Sequence, residues 1–248
     1  MTTRIKKGIE VLAPIYIAHL ENNMWFSQLP SVFKEFIVSH AVQQHFTKEQ
    51  AIFHSGDPFN GIYAVLEGAV RLGYIDIAGK ESVAAIVEPI MWFGEISLVD
   101  AQPRSHDAIA IQKSLILHIP SPAMQKLLAA HPVFWYHIAQ LTSQKLRFAF
   151  LELISIQTQS MTQRLAQRLM FILNGYGNHL MIETNTIHLS QEQLAQMLTC
   201  SRQTINQELQ TLEKQNILRL SFKKIEILDL AELHRIAHAF PSLWIKNK

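Results

Sequence analysis

The sequence predicts an α+β protein in which a β jelly roll, one long helix and a C-terminal winged helix-turn-helix follow one another. Three patterns support this fold class. Between residues 50 and 120, short apolar runs alternate with turn signals, which is typical of an antiparallel sandwich or jelly roll. From Pro132 to about Thr158 no internal turn residue interrupts the chain, which favours one long helix. Two short amphipathic segments and two strand-like runs then follow.

Length and composition fit two modest domains with hydrophobic cores. The chain has 248 residues, of which 48% are hydrophobic, and this argues against intrinsic disorder. The net charge is only +2, but it is unevenly distributed: residues 1–131 carry 10 Lys and Arg against 12 Asp and Glu, whereas residues 160–248 carry 10 against 7. The basic excess therefore lies in the half that contains the two short helices, as expected if that half meets nucleic acid.

Cysteine content and hydropathy predict a cytoplasmic protein that does not span a membrane. Cys200 is the one cysteine, so no disulfide can form within the chain and no cysteine cluster can hold an iron–sulfur centre. Residues 1–23 are predicted to be an extension with an apolar helix or arm, because Glu10 and Pro14 interrupt its weak likeness to a signal peptide. No apolar run is long enough to cross a bilayer.

The two short C-terminal helices have the capping and apolar patterns of a helix-turn-helix. Ser190 and Gln193 form a capping-box pattern, and Ser201 is a suitable N-cap for the second helix. The second helix has one buried stripe, formed by Ile205, Leu209 and Leu212. Residues 217–220 and 225–229 read as two strands joined by a turn, and this wing completes a winged helix-turn-helix.

The polar face of the second helix suits the edges of DNA bases. Arginine pairs bidentately with guanine, glutamine and asparagine pair with adenine, and lysines in the wing would meet phosphate. The predicted DNA-binding residues are Ser190, Ser201, Arg202, Gln203, Thr204, Asn206, Gln207, Lys223 and Lys224. The alternative is an ordinary helical hairpin with a polar surface.

A second motif lies within the jelly-roll segment and suits an anion. It runs Trp92-Phe93-Gly94-Glu95-Ile96-Ser97-Leu98 and is followed by Pro103-Arg104-Ser105. A short helix that begins at a glycine offers backbone N–H groups to a phosphate, a carboxylate can accept from a ribose hydroxyl, and an arginine can pair with phosphate bidentately.

Together, the two motifs resemble those of the cyclic-AMP receptor protein and FNR (Crp/Fnr) family of bacterial transcription regulators. The second helix and wing carry the run Cys200-Ser201-Arg202-x-Thr204-Ile205, then Leu209, Leu212-Glu213 and Ile217-Leu218. The resemblance covers roughly residues 24–230. It implies a cyclic-nucleotide-binding-type sensor domain over residues 24–131, a dimerisation helix over 132–158 and a winged helix-turn-helix domain over 159–240.

The resemblance implies a homodimeric regulator that binds a near-palindromic operator on double-stranded DNA and acts with RNA polymerase. Its jelly roll would sense a small effector, with cyclic AMP or another cyclic nucleotide as the candidate. The implied effector-binding residues are Gly94, Glu95, Ile96, Ser97, Arg104, Ser105 and Phe148. The long helix has two adjacent apolar stripes and must be covered on two sides, which predicts dimer contacts at Leu141, Phe148 and Leu151. A buried helix in a monomer is the alternative.

Two positions depart from the family pattern. Where the family has a polar Thr-Ser pair for adenine, this chain has Phe148-Ala149-Phe150, whose rings can stack on a base but cannot replace a hydroxyl. In the second helix, Gln203 and Gln207 stand where cyclic-AMP receptor proteins carry Glu and Arg, so the operator should differ from theirs.

The sequence leaves three further interpretations open. In the first, the nucleotide pocket is vestigial, and the regulator answers another ligand or acts constitutively. In the second, the protein senses haem. In the third, the chain is a nucleotide-sensing module whose C-terminal helices bind protein. The histidines show no ligand spacing, so no metal site is predicted; those considered were His54, His106, His118, His131 and His137. No enzyme is predicted either, since the sequence shows no nucleophile–base arrangement, metal triad or phosphate-binding loop.

Overall fold

The computed structural model describes residues 12–75, 77, 81–178 and 185–237. Residues 1–11 of the predicted extension and 238–240 of the predicted last domain lie outside these ranges. The chain forms two compact units: the first contains the residues up to Arg71 together with Val87–Thr142, and the second contains Leu72–Ile86 together with the residues from Ser143 onward. No helix in the described ranges is long and apolar enough to cross a membrane.

Three short helices open the first unit: α1 (Pro14–Leu20), α2 (Met24–Ser27) and α3 (Ser31–His40). Asn23 caps α2, because its side chain accepts a hydrogen bond from the backbone N–H of Phe26 at 2.9 Å. The rings of Trp25 and Phe26 lie 5.1 and 5.9 Å from that of Trp92. These aromatic contacts fasten the helices to the core of the β domain.

Eight strands form two four-stranded sheets with the strand orders β1-β8-β3-β6 and β2-β7-β4-β5. This confirms the predicted jelly roll, which pairs two such sheets. The strands are β1 (Val42–Phe46), β2 (Ala51–Phe53), β3 (Gly61–Glu67), β4 (Val70–Ile75), β5 (Glu81–Val87), β6 (Trp92–Phe93), β7 (Asp107–Ala110) and β8 (Ser114–Pro120). Strand β3 pairs antiparallel with both β6 and β8, and all but its last residue are buried. Most residues of β8 are buried as well, and burial on both faces explains why the sequences of β3 and β8 are almost continuously apolar.

The predicted long helix is confirmed as α6 (Trp135–Thr158), which follows α4 (Ile96–Asp100), α5 (Ser121–Ala130) and a 3-10 turn at Pro132–Phe134. Its first part belongs to the first unit, where Ile138 and Leu141 lie in the hydrophobic core. Its remainder belongs to the second unit, where Phe148 packs edge-on against Phe171 at 4.9 Å. The division between the units therefore falls inside the helix.

The second unit carries the predicted winged helix-turn-helix. Its elements are α7 (Met161–Leu173), β9 (Thr186–Ile187), α8 (Gln191–Leu198), α9 (Arg202–Lys214), β10 (Leu218–Ser221), β11 (Lys224–Ile227) and α10 (Leu230–Ile236). The three strands form one sheet in the order β10-β11-β9. Ile205, Leu209 and Leu212 of α9 are fully buried, as their spacing predicts.

Candidate functional site

Local side-chain chemistry fixes the turn between α8 and α9. Ser190 and Gln193 form the predicted capping box, with the Ser190 N–H donating to Gln193 Oε1 at 2.8 Å and the Gln193 N–H donating to Ser190 Oγ at 3.2 Å. Helix α8 ends at Thr199, which adopts a left-handed φ of +54°. Ser201 then caps α9 by accepting from the Thr204 N–H at 3.0 Å. Ser190, Ser201 and Thr204 thus set the entry angles of both helices.

Two arginines of α7 form hydrogen bonds with the end of α8 at this turn, and the sequence did not predict these contacts. Arg164 donates to the carbonyl of Leu198 at 2.9 Å, and Arg168 donates to that of Met197 at 3.3 Å. Arginines that reach the last carbonyls of a helix satisfy acceptors that have no partner within that helix. The sequence did show two arginines four residues apart, on one face of α7. It could not show which carbonyls they bond, because those carbonyls lie about 30 residues further along the chain.

The same Arg168 side chain joins three elements of the second unit. It is 3% exposed, and besides Met197 it contacts the carbonyl of Ala84 at 3.1 Å and Glu152 Oε2 at 2.7 Å. Burial raises the pKa of Glu152, and the neighbouring Arg168 opposes that rise. Arg168 of α7 therefore connects to the long helix through an ion pair, and to strand β5 and the end of α8 through hydrogen bonds to carbonyls.

The outward face of α9 presents the predicted base-reading side chains. Arg202, Gln203 and Gln207 are exposed. Asn206 is half-buried, and its Oδ1 accepts a hydrogen bond from Gln191 Nε2 at 3.1 Å. This bond orients the Asn206 amide, whereas the exposed side chains can adjust to a partner.

The wing is held against α9 by one carboxylate. Glu213, near the end of α9, accepts from the backbone N–H of Leu220 at 2.7 Å. Strands β10 and β11 pair so that Ser221 faces Lys224, which leaves a two-residue turn at the tip. The wing and the starts of α8 and α9 enclose a cleft of about 370 Å³, whose lining includes Ser190, Arg202, Phe222, Lys223, Lys224 and the carboxylate of Glu192. The structure thus brings predicted residues from three elements onto one concave surface.

Arg104 is the centre of the first-unit motif, and its guanidinium is enclosed by the chain itself. The residue is 3% exposed. Its Nη1 donates to the carbonyl of Gly94, and its Nη2 donates to the carbonyl of Gly61 and to Asn60 Oδ1, each at 2.6 Å. Gly94 has a φ of +88°, a conformation that favours glycine, and a Cβ there would fit tightly, at 3.1 Å from Nη1.

Aromatic rings complete the enclosure of Arg104. Its Cζ lies 4.2 Å from the ring centre of Phe53, 5.0 Å from that of Phe59 and 5.7 Å from that of Tyr63. These contacts add cation–π attraction in a dry environment. Burial lowers the pKa of Arg104 and raises that of Tyr63, although arginine remains a cation at neutral pH. The sequence did not identify Phe53, Phe59, Asn60 and Tyr63 as neighbours of Arg104, because they come from β2, β3 and the loop between them.

The other predicted effector residues have mixed surroundings. Glu95 and Ser97 are buried at 1% and 3% exposure, while Ile96 is 37% exposed. Ser105 is exposed and its Oγ lies 2.9 Å from Nδ1 of His106. Across the described residues, no group of three or more His, Cys, Asp or Glu side chains could hold a metal ion.

Two of the residues predicted for the dimer contact are largely buried within their own protomer. Leu141 is 1% exposed and Phe148 is 7% exposed. Phe148 makes T-shaped contacts with Phe171 and Tyr176, so its ring is part of the core of the second unit. The third residue, Leu151, is half-buried. The large apolar side chains that α6 does expose from its middle onward are Leu146, Phe150, Leu153, Ile154 and Ile156, between 42% and 57% exposed.

Comparisons with known proteins agree with this two-unit arrangement. Residues 43–131 match the cyclic nucleotide-binding domain model, and residues 163–236 match the Crp-like helix-turn-helix domain model. The "Cyclic AMP receptor protein" of Thermus thermophilus is 28% identical over 201 residues, covering 81% of this chain and 90% of that protein. The "CRP-like cAMP-activated global transcriptional regulator" of Mycobacterium tuberculosis is 26% identical over 193 residues, covering 77% and 86%.

A solved structure supports the fold independently. FixK2 from Bradyrhizobium japonicum superimposes with a TM-score of 0.70 at 20% identity, covering 79% of this chain and 96% of that structure. At this level of identity the likeness concerns the fold alone.

Proposed function

The chain belongs to the Crp/Fnr family of transcription regulators, and from that premise we propose that it binds a near-palindromic operator as a homodimer through α9 and the wing. The observation that carries the proposal is the concave surface that joins Arg202 of α9 to Lys223 and Lys224 of the wing. An exposed row of Arg and Gln matches base edges in the major groove, and lysines beside it match phosphates. Helix-turn-helix regulators of this family bind DNA and are typically dimers.

The operator follows from the symmetry and from the side chains. A two-fold dimer with one reading helix per subunit needs two half-sites about one helical turn, roughly 10 base pairs, apart. Arg202 in the first turn of α9 pairs with a guanine, and Gln203 and Gln207 pair with adenines. Each half-site therefore keeps one guanine and is otherwise rich in A·T.

Selection of binding sites from random duplex DNA tests this proposal. The expected result is a near-palindrome with those half-sites, recovered by the unaltered chain. Recovery of no palindrome, or of the operator preferred by cyclic-AMP receptor proteins, would mean that another face of the unit makes the contacts.

For the dimer, we propose an interface built on the exposed stripe of α6. Leu146, Phe150 and Leu153 lie on one side of the helix at spacings of four and three residues. In the isolated protomer these side chains leave a large apolar surface in contact with water. Burying that surface against a second copy would lower the free energy of the pair.

The sensor motif supports a second proposal: Arg104 acts as an internal strut, and the regulator does not sense a cyclic nucleotide through it. This corresponds to the vestigial-pocket interpretation of the sequence. Three of the five N–H donors of Arg104 already form short charge-assisted hydrogen bonds within the protein, and a phosphate that took those donors would leave two buried carbonyls and the Asn60 amide without a partner. The names of the Thermus and Mycobacterium relatives concern cyclic AMP, but they describe those proteins at 28% and 26% identity.

Thermal unfolding against a ligand panel separates the two interpretations of Arg104, since a ligand that binds the folded state raises the unfolding midpoint. With millimolar cyclic AMP or cyclic GMP we expect no change in the midpoint. A rise that disappears in an Arg104→Lys variant would instead support the expectation that Arg104 holds the phosphate of the effector.

Finally, we propose that the dimer acts in the cytoplasm as a non-enzymatic regulator of RNA polymerase. Its relatives are transcription regulators, and the described residues contain no membrane-spanning helix. Transcription in vitro from a promoter that carries the selected operator should rise or fall when the protein is added, and an unchanged transcript level would contradict the proposal.

A further inference from the structure

The wing tip exposes a phenylalanine that lines the proposed DNA-binding surface. The turn between β10 and β11 consists of Phe222 and Lys223, and 90% of the surface of Phe222 is exposed. An aromatic ring left in water forgoes the free energy that burial would provide, so its exposure at this point favours a partner that covers it.

The wing holds this ring in a defined position. The backbone of β10 is bonded to Glu213 of α9, and Ile225 and Ile227 of β11 are 3% and 2% exposed. Lys223 adopts a left-handed φ of +52°, which makes the turn tight. Because the ring is presented by a packed hairpin, little conformational entropy is lost when a partner covers it.

The charges around the ring indicate the class of partner. The Lys223 Nζ lies 5.4 Å from the centre of the Phe222 ring, and the same cleft is lined by Lys224, Arg202 and one carboxylate, Glu192, so its net charge is positive. An apolar ring beside cations fits a slot with apolar walls and an anionic rim. The minor groove of duplex DNA is such a slot, because sugars form its walls and two rows of phosphates form its rim.

We infer that Phe222 enters the minor groove beside the half-site that α9 reads, with Lys223 and Lys224 on the flanking phosphates. The inference rests on the proposed DNA-binding function and adds a second point of sequence discrimination to it. The nearest minor groove lies about half a helical turn, roughly five base pairs, from the centre of the half-site. There the ring packs against sugars and base edges and favours A·T pairs, which lack the amino group that guanine projects into this groove.

Base analogues in the operator flank test the groove directly. Three versions of the selected operator carry A·T, inosine·cytosine or G·C pairs at the flanking positions. Inosine·cytosine has the minor-groove edge of A·T and the major-groove edge of G·C, so it separates the two grooves. We expect the unaltered protein to bind the first two versions equally and the G·C version about tenfold more weakly.

Three variants assign that discrimination to the ring. Phe222→Ala should bind all three versions alike and bind the A·T version about tenfold more weakly than the unaltered chain. Phe222→Tyr keeps the ring and should keep the discrimination. Lys223→Gly removes a charge and suits the left-handed backbone, so it should keep the discrimination but reduce the slope of log affinity against log salt by about one. All three should unfold at the midpoint of the unaltered chain, because the tip makes no part of the core.

The outcomes separate this inference from the function on which it rests. If the unaltered chain selects no operator, both fail. If it binds its operator but Phe222→Ala binds as tightly, or still rejects the G·C flank, then the wing meets phosphate alone and the minor-groove role is overturned.

Discussion

The sensor motif and the reading helix each place an arginine where the family motif has one, and the two side chains have opposite surroundings. Arg104 is 3% exposed, with three short hydrogen bonds to its own chain and three aromatic rings around it. Arg202 stands exposed in the first turn of α9, beside the wing lysines. The Arg104 guanidinium is bonded to the protein's own chain, whereas the Arg202 guanidinium is exposed, and we propose that it meets DNA.

This difference shows that a sequence motif identifies an arginine but does not tell whether its N–H donors are free to bond a ligand. A guanidinium stabilises whichever acceptors surround it, and a buried acceptor that loses its partner costs more than a solvated one. For Arg104 the acceptors are carbonyls and an amide of the same protomer. For Arg202 we propose that the acceptors are base edges, which arrive only when DNA binds.

The largest effect is expected from the same contrast on the long helix, between Phe148 and Phe150. Phe148→Ala removes a ring from the core of the second unit and should lower the free energy of unfolding by about 3–5 kcal/mol, without abolishing the dimer. Phe150 is 57% exposed, so Phe150→Glu should leave the protomer folded but place a charge in the proposed interface. Denaturant unfolding and light scattering report the two results separately.

The contrast would break down if Phe150→Glu remained dimeric while Phe148→Ala became a well-folded monomer. That result would return the dimer contact to the stripe that the sequence suggested. A fixed protein concentration is needed for both variants, since the stability of a dimer depends on it.

The next largest effect concerns the stability provided by Arg104. Arg104→Ala leaves three acceptors without their donor and should cost about 3 kcal/mol or more in the free energy of unfolding, with no ligand present. Arg202→Ala is the matched control and should unfold like the unaltered chain. An Arg104→Ala variant of unchanged stability would show that this arginine is held for a ligand.

A smaller effect is expected on DNA affinity. Arg202→Ala should weaken operator binding by roughly 1–3 kcal/mol and relax the preference at one base pair of each half-site. Binding titrations with operators altered at single positions measure both changes. A uniform loss at every position would mean that Arg202 meets phosphate instead of a base.

The smallest effect is expected at the wing. Lys224→Ala should weaken binding to all duplex sequences alike, because a phosphate contact carries no sequence information. The slope of log affinity against log salt should become shallower by about one, whereas Arg202→Ala should mainly change specificity. If Lys224→Ala altered the selected sequence, the wing lysine would be reading bases.

The sequence predicted those features that local chemistry determines. The capping box at Ser190 and Gln193, the cap at Ser201 and the buried stripe of α9 all involve residues within a few positions of one another. The sequence predicted wing strands over residues 217–220 and 225–229, and in the structure they run over Leu218–Ser221 and Lys224–Ile227. Strand ends shift by a residue or two because the turn and pairing register, not propensity, define them.

Features that depend on distant parts of the chain could not be predicted in the same way. Arg104 finds its acceptors at Asn60 and Gly61, 44 and 43 residues earlier, and nothing in the local motif distinguishes them from a ligand's oxygens. On the long helix the sequence shows two apolar stripes of similar character. Phe148 is buried by Phe171 and Tyr176, which lie beyond the end of that helix, and Leu141 is buried by the core of the first unit.

Operator affinity measured with and without millimolar cyclic AMP and cyclic GMP tests the contrast between the two arginines most directly. With Arg104 acting as the internal strut that we propose, the unaltered protein should bind its operator with the same Kd in all three conditions, and Arg202→Ala should weaken binding equally in each. If a cyclic nucleotide tightened operator binding tenfold, and Arg104→Lys abolished that gain, the account of Arg104 as an internal strut would be contradicted.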